Sequence, residues 1–238
     1  MKSREELIKV WEDTNEVINS MSNDDLSSYY GKSINFKSID DSNKCNIVVD
    51  NRDCIEVAND LSKLGKTCML NMASYKHPGG GVKRGAMAQE EELARRSNLM
   101  LGLDESKYPF KKDFFIYTKN VTFIKDKNYT LIEPFKCDII TIPALNLNGL
   151  EKDRNYEEMT SYKIKTMLHE PYINGCENLV LSAFGCGVFK NDPHMISKMF
   201  KDIIDEGFGK MYKNIYFAIL NDRNSVSNNY SIFYNTML

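Results

Sequence analysis

The sequence predicts a three-layer α/β/α domain on a mixed or largely parallel sheet, with about six strands interleaved with about five helices. Three observations carry that reading. Short β-branched and apolar runs alternate with amphipathic stretches, and the connections are brief, the pattern of strand–helix–strand units with parallel pairs. No internal repeat or extended low-complexity tract interrupts the order. Two glycine-rich stretches, Gly79–Gly81 and Gly185–Gly187, each follow a strand and precede a helix. Ligands of such sheets bind beyond the carboxyl ends of the strands, so both loops are expected at one sheet edge.

Taken in order, Ser3 with Glu6 fits a capping box, and Leu7, Trp11 and Ile18 recur at helical spacing. Residues Met21 to Asn43, rich in Ser, Asn and Asp, read as a connection with room for one short strand. Asn46 to Val49 is a β-branched strand; Asp53 caps a helix carrying Ile55, Val57, Ala58 and Leu61, which Gly65 stops. The strand Cys68–Leu70 leads through Asn71 into the triple glycine, and Gln89 opens a helix ending near Met100.

Phe114–Tyr117 and Val121–Ile124 read as two strands of a hairpin around Thr118–Asn120. Cys137 to Pro143 is a buried strand, Asp153 to Glu170 a helix, and Asn178 to Leu181 a strand running into the second glycine loop. Asp192 with Pro193 starts a helix whose inner face is Met195, Ile196, Met199, Phe200, Ile203 and Ile204. Ile215 to Leu220 is the last strand, and Tyr230 to Met237 a terminal helix.

The 238 residues, 42% hydrophobic and 27% charged, suffice for a sizeable core. A formal net charge of −2 argues against a broad basic nucleic-acid surface. It leaves room for a small anion held by loop amides and a helix N-terminus. The six cysteines show no C-x-x-C spacing and several lie in apolar runs, which fits free thiols in a reducing compartment. The first residues lack the apolar core of a signal peptide, and no run approaches the ~20 residues of a membrane span. A soluble, intracellular protein is expected, with a monomer as the working assumption.

Consecutive glycines permit positive φ and close backbone approach to a ligand; an isolated triple glycine is about as often a plain surface turn. No Gly-Lys-Ser/Thr follows it, and the dinucleotide G-x-G-x-x-G is absent. Acidic residues at a helix start are favoured by its dipole and usually solvated. Here Ala86, Met87, Ala88 and Leu93 surround Gln89-Glu90-Glu91-Glu92, so one or two carboxylates are expected to face inward. Gly185-Cys186-Gly187 reads either as a tight turn or as a second anion cradle, with Cys186 a packing residue. Phe184 and Phe189 read as core residues, with a sugar or base contact as the other reading. His77, His169 and His194 lack ligand spacing, so no metal is assigned, and no cofactor is expected.

Together these motifs resemble the microbial (bacterial and fungal) poly(ADP-ribose) glycohydrolases. The shared wording is N-x-A-S-x-x-x-P-G-G-G over Asn71–Gly81, then G-A-x-A-Q-E-E-x-L-x-R-x-S over Gly85–Ser97, and F-G-C-G-V-F-x-N-D-P over Phe184–Pro193. Weaker similarity extends over most of the chain from about Asn46. The resemblance implies a macrodomain-like three-layer core over residues 46–238, with residues 1–45 as an N-terminal helical extension packed on it.

It also implies hydrolysis of the ribose–ribose O-glycosidic bond of poly(ADP-ribose). Glu91 would be the general acid/base and Glu90 its neighbour on the ribose hydroxyls. Asn71, Gly79, Gly80, Gly81 and Gln89 would shape the proximal ribose site. Gly185, Cys186, Gly187, Val188 and Phe189 would bind the diphosphate and distal ribose. Glu92, a third carboxylate where relatives often have a small residue, raises a register question that Leu93 and Ser97 answer in favour of Glu91. Phe217 is a candidate for adenine stacking, with an ordinary core phenylalanine as its simpler reading. Burial and the charge of Glu90 are expected to raise the Glu91 pKa against the helix dipole. The implied partner is ADP-ribose polymer or ADP-ribosylated protein. The alternatives are a macrodomain that reads ADP-ribose without cleaving it, and a hydrolase of mono-ADP-ribosylated substrates.

Overall fold

The computed structural model describes residues 2–33, 35–36, 44–148, 154–220 and 228–238. Among them is one seven-stranded mixed sheet: β1 (Ser27–Gly31), β2 (Asn46–Asp50), β3 (Thr67–Met72), β4 (Phe115–Lys125), β5 (Leu131–Ile142), β6 (Asn178–Leu181) and β7 (Asn214–Ala218). The spatial order is β1-β4-β5-β3-β6-β7-β2. β5, β3, β6, β7 and β2 run parallel, and β4 and β1 continue one edge antiparallel.

Six α-helices accompany the sheet among the described residues: α1 (Arg4–Asn19), α2 (Cys54–Ser62), α3 (Gln89–Arg96), α4 (Tyr156–Ile173), α5 (Pro193–Asp205) and α6 (Asn229–Met237). The layers follow from strand alternation. Cys68, Leu70, Ile140, Ile142, Leu179 and Leu181 enter one core with Ile164, Met167 and Leu168 of α4, Ile196 and Phe200 of α5, and Phe233 of α6. Met69, Cys137, Ile139 and Val180 point the other way, into a second core with Ile55, Val57, Ala58 and Leu61 of α2 and Leu93 of α3. Burying a large apolar side chain contributes ~1.5–3 kcal/mol, so these two cores outweigh exposed ion pairs such as Lys198–Asp202.

Local signals in the sequence explain the helix ends. Ser3 and Glu6 form the capping box of α1. Asp53 accepts from the Ile55 and Glu56 amides at the start of α2. Asp192 accepts from the His194 amide, with Pro193 in the first turn of α5. The short strand anticipated between Met21 and Asn43 is β1, although parts of that stretch lie outside the described residues.

Some boundaries differ from expectation. Phe115–Tyr117 and Val121–Ile124 belong to one strand, β4, with Phe114 just before it, and not to a hairpin. The register shifts between Thr118 and Val121, Asn120 sits at φ 57, and its amide donates to Asp138 Oδ1 at 3.0 Å. That is a β-bulge, in which Asn tolerates the left-handed backbone. The hairpin partner of β4 is β5, which begins at Leu131. The helix expected from Asp153 starts at Tyr156 among the described residues; Asp153 itself lies outside them. α3 ends at Arg96, where Ser97 turns extended and bridges to Phe123.

Candidate active site

The parallel strands β5, β3, β6 and β7 all discharge at their carboxyl ends onto one edge. The triple-glycine loop leaves β3 and the Gly185 loop leaves its neighbour β6, so sheet topology brings the two to the same edge.

Asn71 falls on the same face of β3 as Met69, the face carrying α3. It is buried, its Nδ2 donates to Thr141 Oγ1 at 3.2 Å and to Glu90 Oε1 at 3.5 Å, and its Oδ1 is buried with no partner among the described residues. Gln89 joins α3 to the end of β3: its Nε2 donates to the Leu70 carbonyl at 2.6 Å and its Oε1 accepts the Met72 amide at 2.8 Å. The side-chain amide is thereby committed to the protein backbone.

Glu90 is 3% exposed. Its Oε2 accepts the Ser74 amide at 2.6 Å and its Oε1 the Gly79 amide at 3.2 Å, so it pins the loop that carries the glycines. Burial pushes the Glu90 carboxyl up to about 8; the Ser74 hydrogen bond opposes this and the adjacent Glu91 carboxylate adds to it. Glu90 lies deeper than Glu91, and its burial is what drives its carboxyl up.

Glu91 is 7% exposed. Its Oε1 accepts the Gly81 amide at 2.8 Å. Its Oε2 is buried with no partner among the described residues. Gly80 makes that approach possible: at φ +59, a Cβ there would lie 2.5 Å from Glu91 Oε1 and 3.1 Å from Glu90 Oε2. Glu92 turns elsewhere, bonded by the Tyr129 hydroxyl at 2.9 Å and by Arg95 Nη1 at 2.9 Å. Of the three carboxylates, only Glu91 has an oxygen both buried and unclaimed among the described residues.

In the second loop, Phe184 is core, and Phe189 is partly buried against the same cluster. The Cys186 thiol is buried, which with Asp192 pushes it up to about 12, so it is a packing group and not a nucleophile. Gly185 takes φ +74, where a Cβ would meet Asn191 at 2.5 Å. The buried Asn191 Nδ2 donates to Leu145 O at 2.8 Å and Gly185 O at 3.0 Å, stapling this loop to the one after β5. Among the described residues, the amides of Gly187, Val188 and Phe189 donate to no backbone carbonyl. Val188 is 71% exposed, and a Cβ at Gly187 would meet nothing within 4 Å. Successive unclaimed amides on an exposed loop suit an anion.

Phe217 is not an adenine platform. It is fully buried in β7 and packs on Phe200 at 5.2 Å and Phe233 at 5.6 Å. The structure gives roles to Ser74 and Asn191, which the quoted motifs contain without one, and adds Thr141 and Tyr108, which no motif marks. Ser74 and Thr141 hold the carboxylate and Asn71, Asn191 holds the second loop, and the buried Tyr108 hydroxyl lacks a partner among the described residues. Tyr108 lies in a Tyr-Pro-Phe stretch with no motif to mark it. Among the described residues, no group of three or more His, Cys, Asp or Glu is placed to hold a metal ion.

Comparison with known proteins follows the same lines. The family model of the microbial-type PARG catalytic domain matches residues 13–126, the segment that includes the triple glycine and Gln89–Glu91. The second glycine loop lies beyond that match. No curated protein matches the chain in sequence. The fold is that of the poly(ADP-ribose) glycohydrolase of Thermomonospora curvata, with a TM-score of 0.82 at 22% identity, covering 98% of this chain and 97% of that one. A structure of the Thermomonospora enzyme bound to the inhibitor ADP-HPD gives the same TM-score of 0.82 at 22% identity, over 97% of this chain and 99% of that one. The Deinococcus radiodurans poly(ADP-ribose) glycohydrolase in complex with ADP-ribose has a TM-score of 0.76 at 23% identity, over 98% of this chain and 90% of that one. In its matched segment, its motifs and its fold the chain is similar to the microbial-type poly(ADP-ribose) glycohydrolases.

Proposed function

We propose that this protein hydrolyses the ribose–ribose O-glycosidic bond of poly(ADP-ribose) and releases ADP-ribose. One observation carries the proposal: Glu91 presents a buried oxygen, Oε2, with no partner among the described residues, while the Gly81 amide holds Oε1. That geometry leaves Oε2 to pass a proton to the leaving ribose hydroxyl as positive charge develops at the anomeric carbon. It then takes a proton from the water that attacks the same carbon. General acid–base help of this kind contributes ~10²–10⁴-fold, and the two glycine loops supply the positioning.

In this reading the amides of Gly187, Val188 and Phe189 receive the diphosphate, and the Phe189 ring lies against the distal ribose. Gly79, Gly80 and Gly81 form the wall beside the scissile ribose. Glu90 and Gln89 hold that wall in place, and Asn71 offers its free Oδ1. Residues 1–45 are assigned as an N-terminal extension and 46–238 as the catalytic core. The protein acts as a monomer in a reducing, intracellular compartment; its six free cysteines support that placement. No helix among the described residues is long and apolar enough to cross a membrane.

The test is incubation with poly-ADP-ribosylated and mono-ADP-ribosylated protein side by side. Release of ADP-ribose from polymer supports the proposal. Release from the mono-modified protein alone would reassign the substrate, and tight ADP-ribose binding without release from either would make the protein a reader.

A further inference from the structure

We infer that the N-terminal helix α1 belongs to the catalytic apparatus, with Arg95 as a positioning residue that sets the Glu91 carboxylate through Ala86 and Gly81. The inference rests on the proposed role of Glu91 and deepens it.

Arg95 is fully buried on α3, one turn beyond Glu91. Its Nε donates to the Leu7 carbonyl of α1 at 3.3 Å, and its Nη2 to the Ala86 carbonyl. The Ala86 amide donates to the Gly81 carbonyl at 3.2 Å, and the Gly81 amide donates to Glu91 Oε1 at 2.8 Å. Four links thus run without a gap from α1 to the reacting carboxylate. Ala86 and Gly81 each receive at the C=O and give at the N–H, groups of two peptide units joined through the Cα, so the chain of bonds acts by fixing the position of the turn.

The packing explains why the relay cannot slide. A Cβ on Gly81 would lie 2.7 Å from the Ala86 Cβ, and one on Gly85 would lie 2.4 Å from the Arg4 carbonyl oxygen, so α1 seats directly on the turn before α3. Gly85 takes φ +68, which L side chains rarely adopt. The start of α3 has no side-chain cap of its own, so the turn before it depends on these outside contacts. Two further bonds clamp α1: Thr14 Oγ1 donates to the Arg95 carbonyl at 2.6 Å, and Lys125 Nζ donates to Thr14 Oγ1 at 2.7 Å. The guanidinium also meets Glu92 at 2.9 Å, which gives the additional carboxylate a structural use.

The test compares the wild type with Arg95→Met, which keeps an unbranched apolar stem and removes every donor. Three things are measured: steady-state hydrolysis of ADP-ribose polymer, ADP-ribose affinity by calorimetry, and the titration of the Glu91 side-chain carboxyl carbon by carbon-13 NMR. Glu91→Gln identifies that resonance. In folded Arg95→Met, kcat is expected to fall about ten- to a hundredfold, as a small misplacement of a reacting group does. KM and ADP-ribose affinity should stay within about threefold, and the Glu91 titration midpoint should move. Thr14→Val loosens α1 without touching the guanidinium and should show the same signature at smaller size. It decides the matter if Arg95→Met does not fold. Unchanged kcat with an unchanged Glu91 titration in a folded variant overturns the inference. If the wild type does not cleave polymer, the proposed function fails, and the titration alone still decides whether Arg95 and α1 set Glu91.

Discussion

The Gly81 amide donates to Glu91 Oε1 at 2.8 Å, and Glu91 Oε2 is buried with no partner among the described residues. The contact requires Gly80 to be bare, since a Cβ there would lie 2.5 Å from Glu91 Oε1 on a backbone at φ +59. Gly80→Ala should therefore displace the carboxylate. We expect turnover of ADP-ribose polymer to fall by at least about tenfold and thermal unfolding to show a loss of ~1–3 kcal/mol from backbone strain.

Gly187 makes the opposite case. A Cβ at that position meets nothing within 4 Å, and its φ lies outside the left-handed region. Gly187→Val should leave the melting temperature nearly unchanged. It should weaken ADP-ribose binding in calorimetry, because bulk on the loop would block approach of a diphosphate to the amides of Gly187, Val188 and Phe189.

Gln89 tests whether a motif residue acts through the fold. Its amide bonds both the Leu70 carbonyl and the Met72 amide. Gln89→Met preserves length and leaves two backbone groups without partners, at ~1–3 kcal/mol for each buried group. The checking measurement is chemical denaturation. A large loss of stability identifies an anchor of α3 on β3; an unchanged midpoint with weaker ADP-ribose binding would give Gln89 to the ligand instead.

Glu90 makes stability depend on pH. Its carboxyl is raised from 4.5 to about 8 in the folded protein. Between those values the folded protein keeps a proton that the unfolded chain has released, so stability falls as pH rises through that window. Relative to Glu90→Gln, which lacks the titration, the wild type should lose stability steadily from pH 5 to pH 8, at up to ~1.4 kcal/mol per pH unit. Parallel pH profiles of the two proteins would contradict this.

Much of this architecture is legible in the sequence, and the exceptions have physical reasons. Capping residues such as Ser3, Asp53 and Asp192 announce their helices because the bonds they make are local. A β-branched run announces β2, and short apolar runs announce β3 and β6. Asn120 misleads, because a bulge and a turn use the same residues and only the partner strand, β5, distinguishes them. The carboxylates Glu90 and Glu91 are findable from their neighbourhood of small residues. Which of them is deeper depends on Ser74 and Gly79, which contact Glu90 only after the loop folds back. Arg95 stands in the quoted motif, but its role is illegible for the same reason: its partners Leu7 and Ala86 are backbone carbonyls, one of them on a helix more than eighty positions away. Phe217 shows the converse, an aromatic with a ligand-like position in the chain that the core of α5 and α6 absorbs.

The central claim is that Glu91 carries the chemistry and the neighbouring carboxylate does not. The direct measurement is single-turnover release of ADP-ribose from polymer by Glu91→Gln, with ADP-ribose affinity measured on the same preparation. We expect release to drop by ~10²-fold or more, with affinity within a few-fold of wild type. Wild-type release by Glu91→Gln would contradict the account.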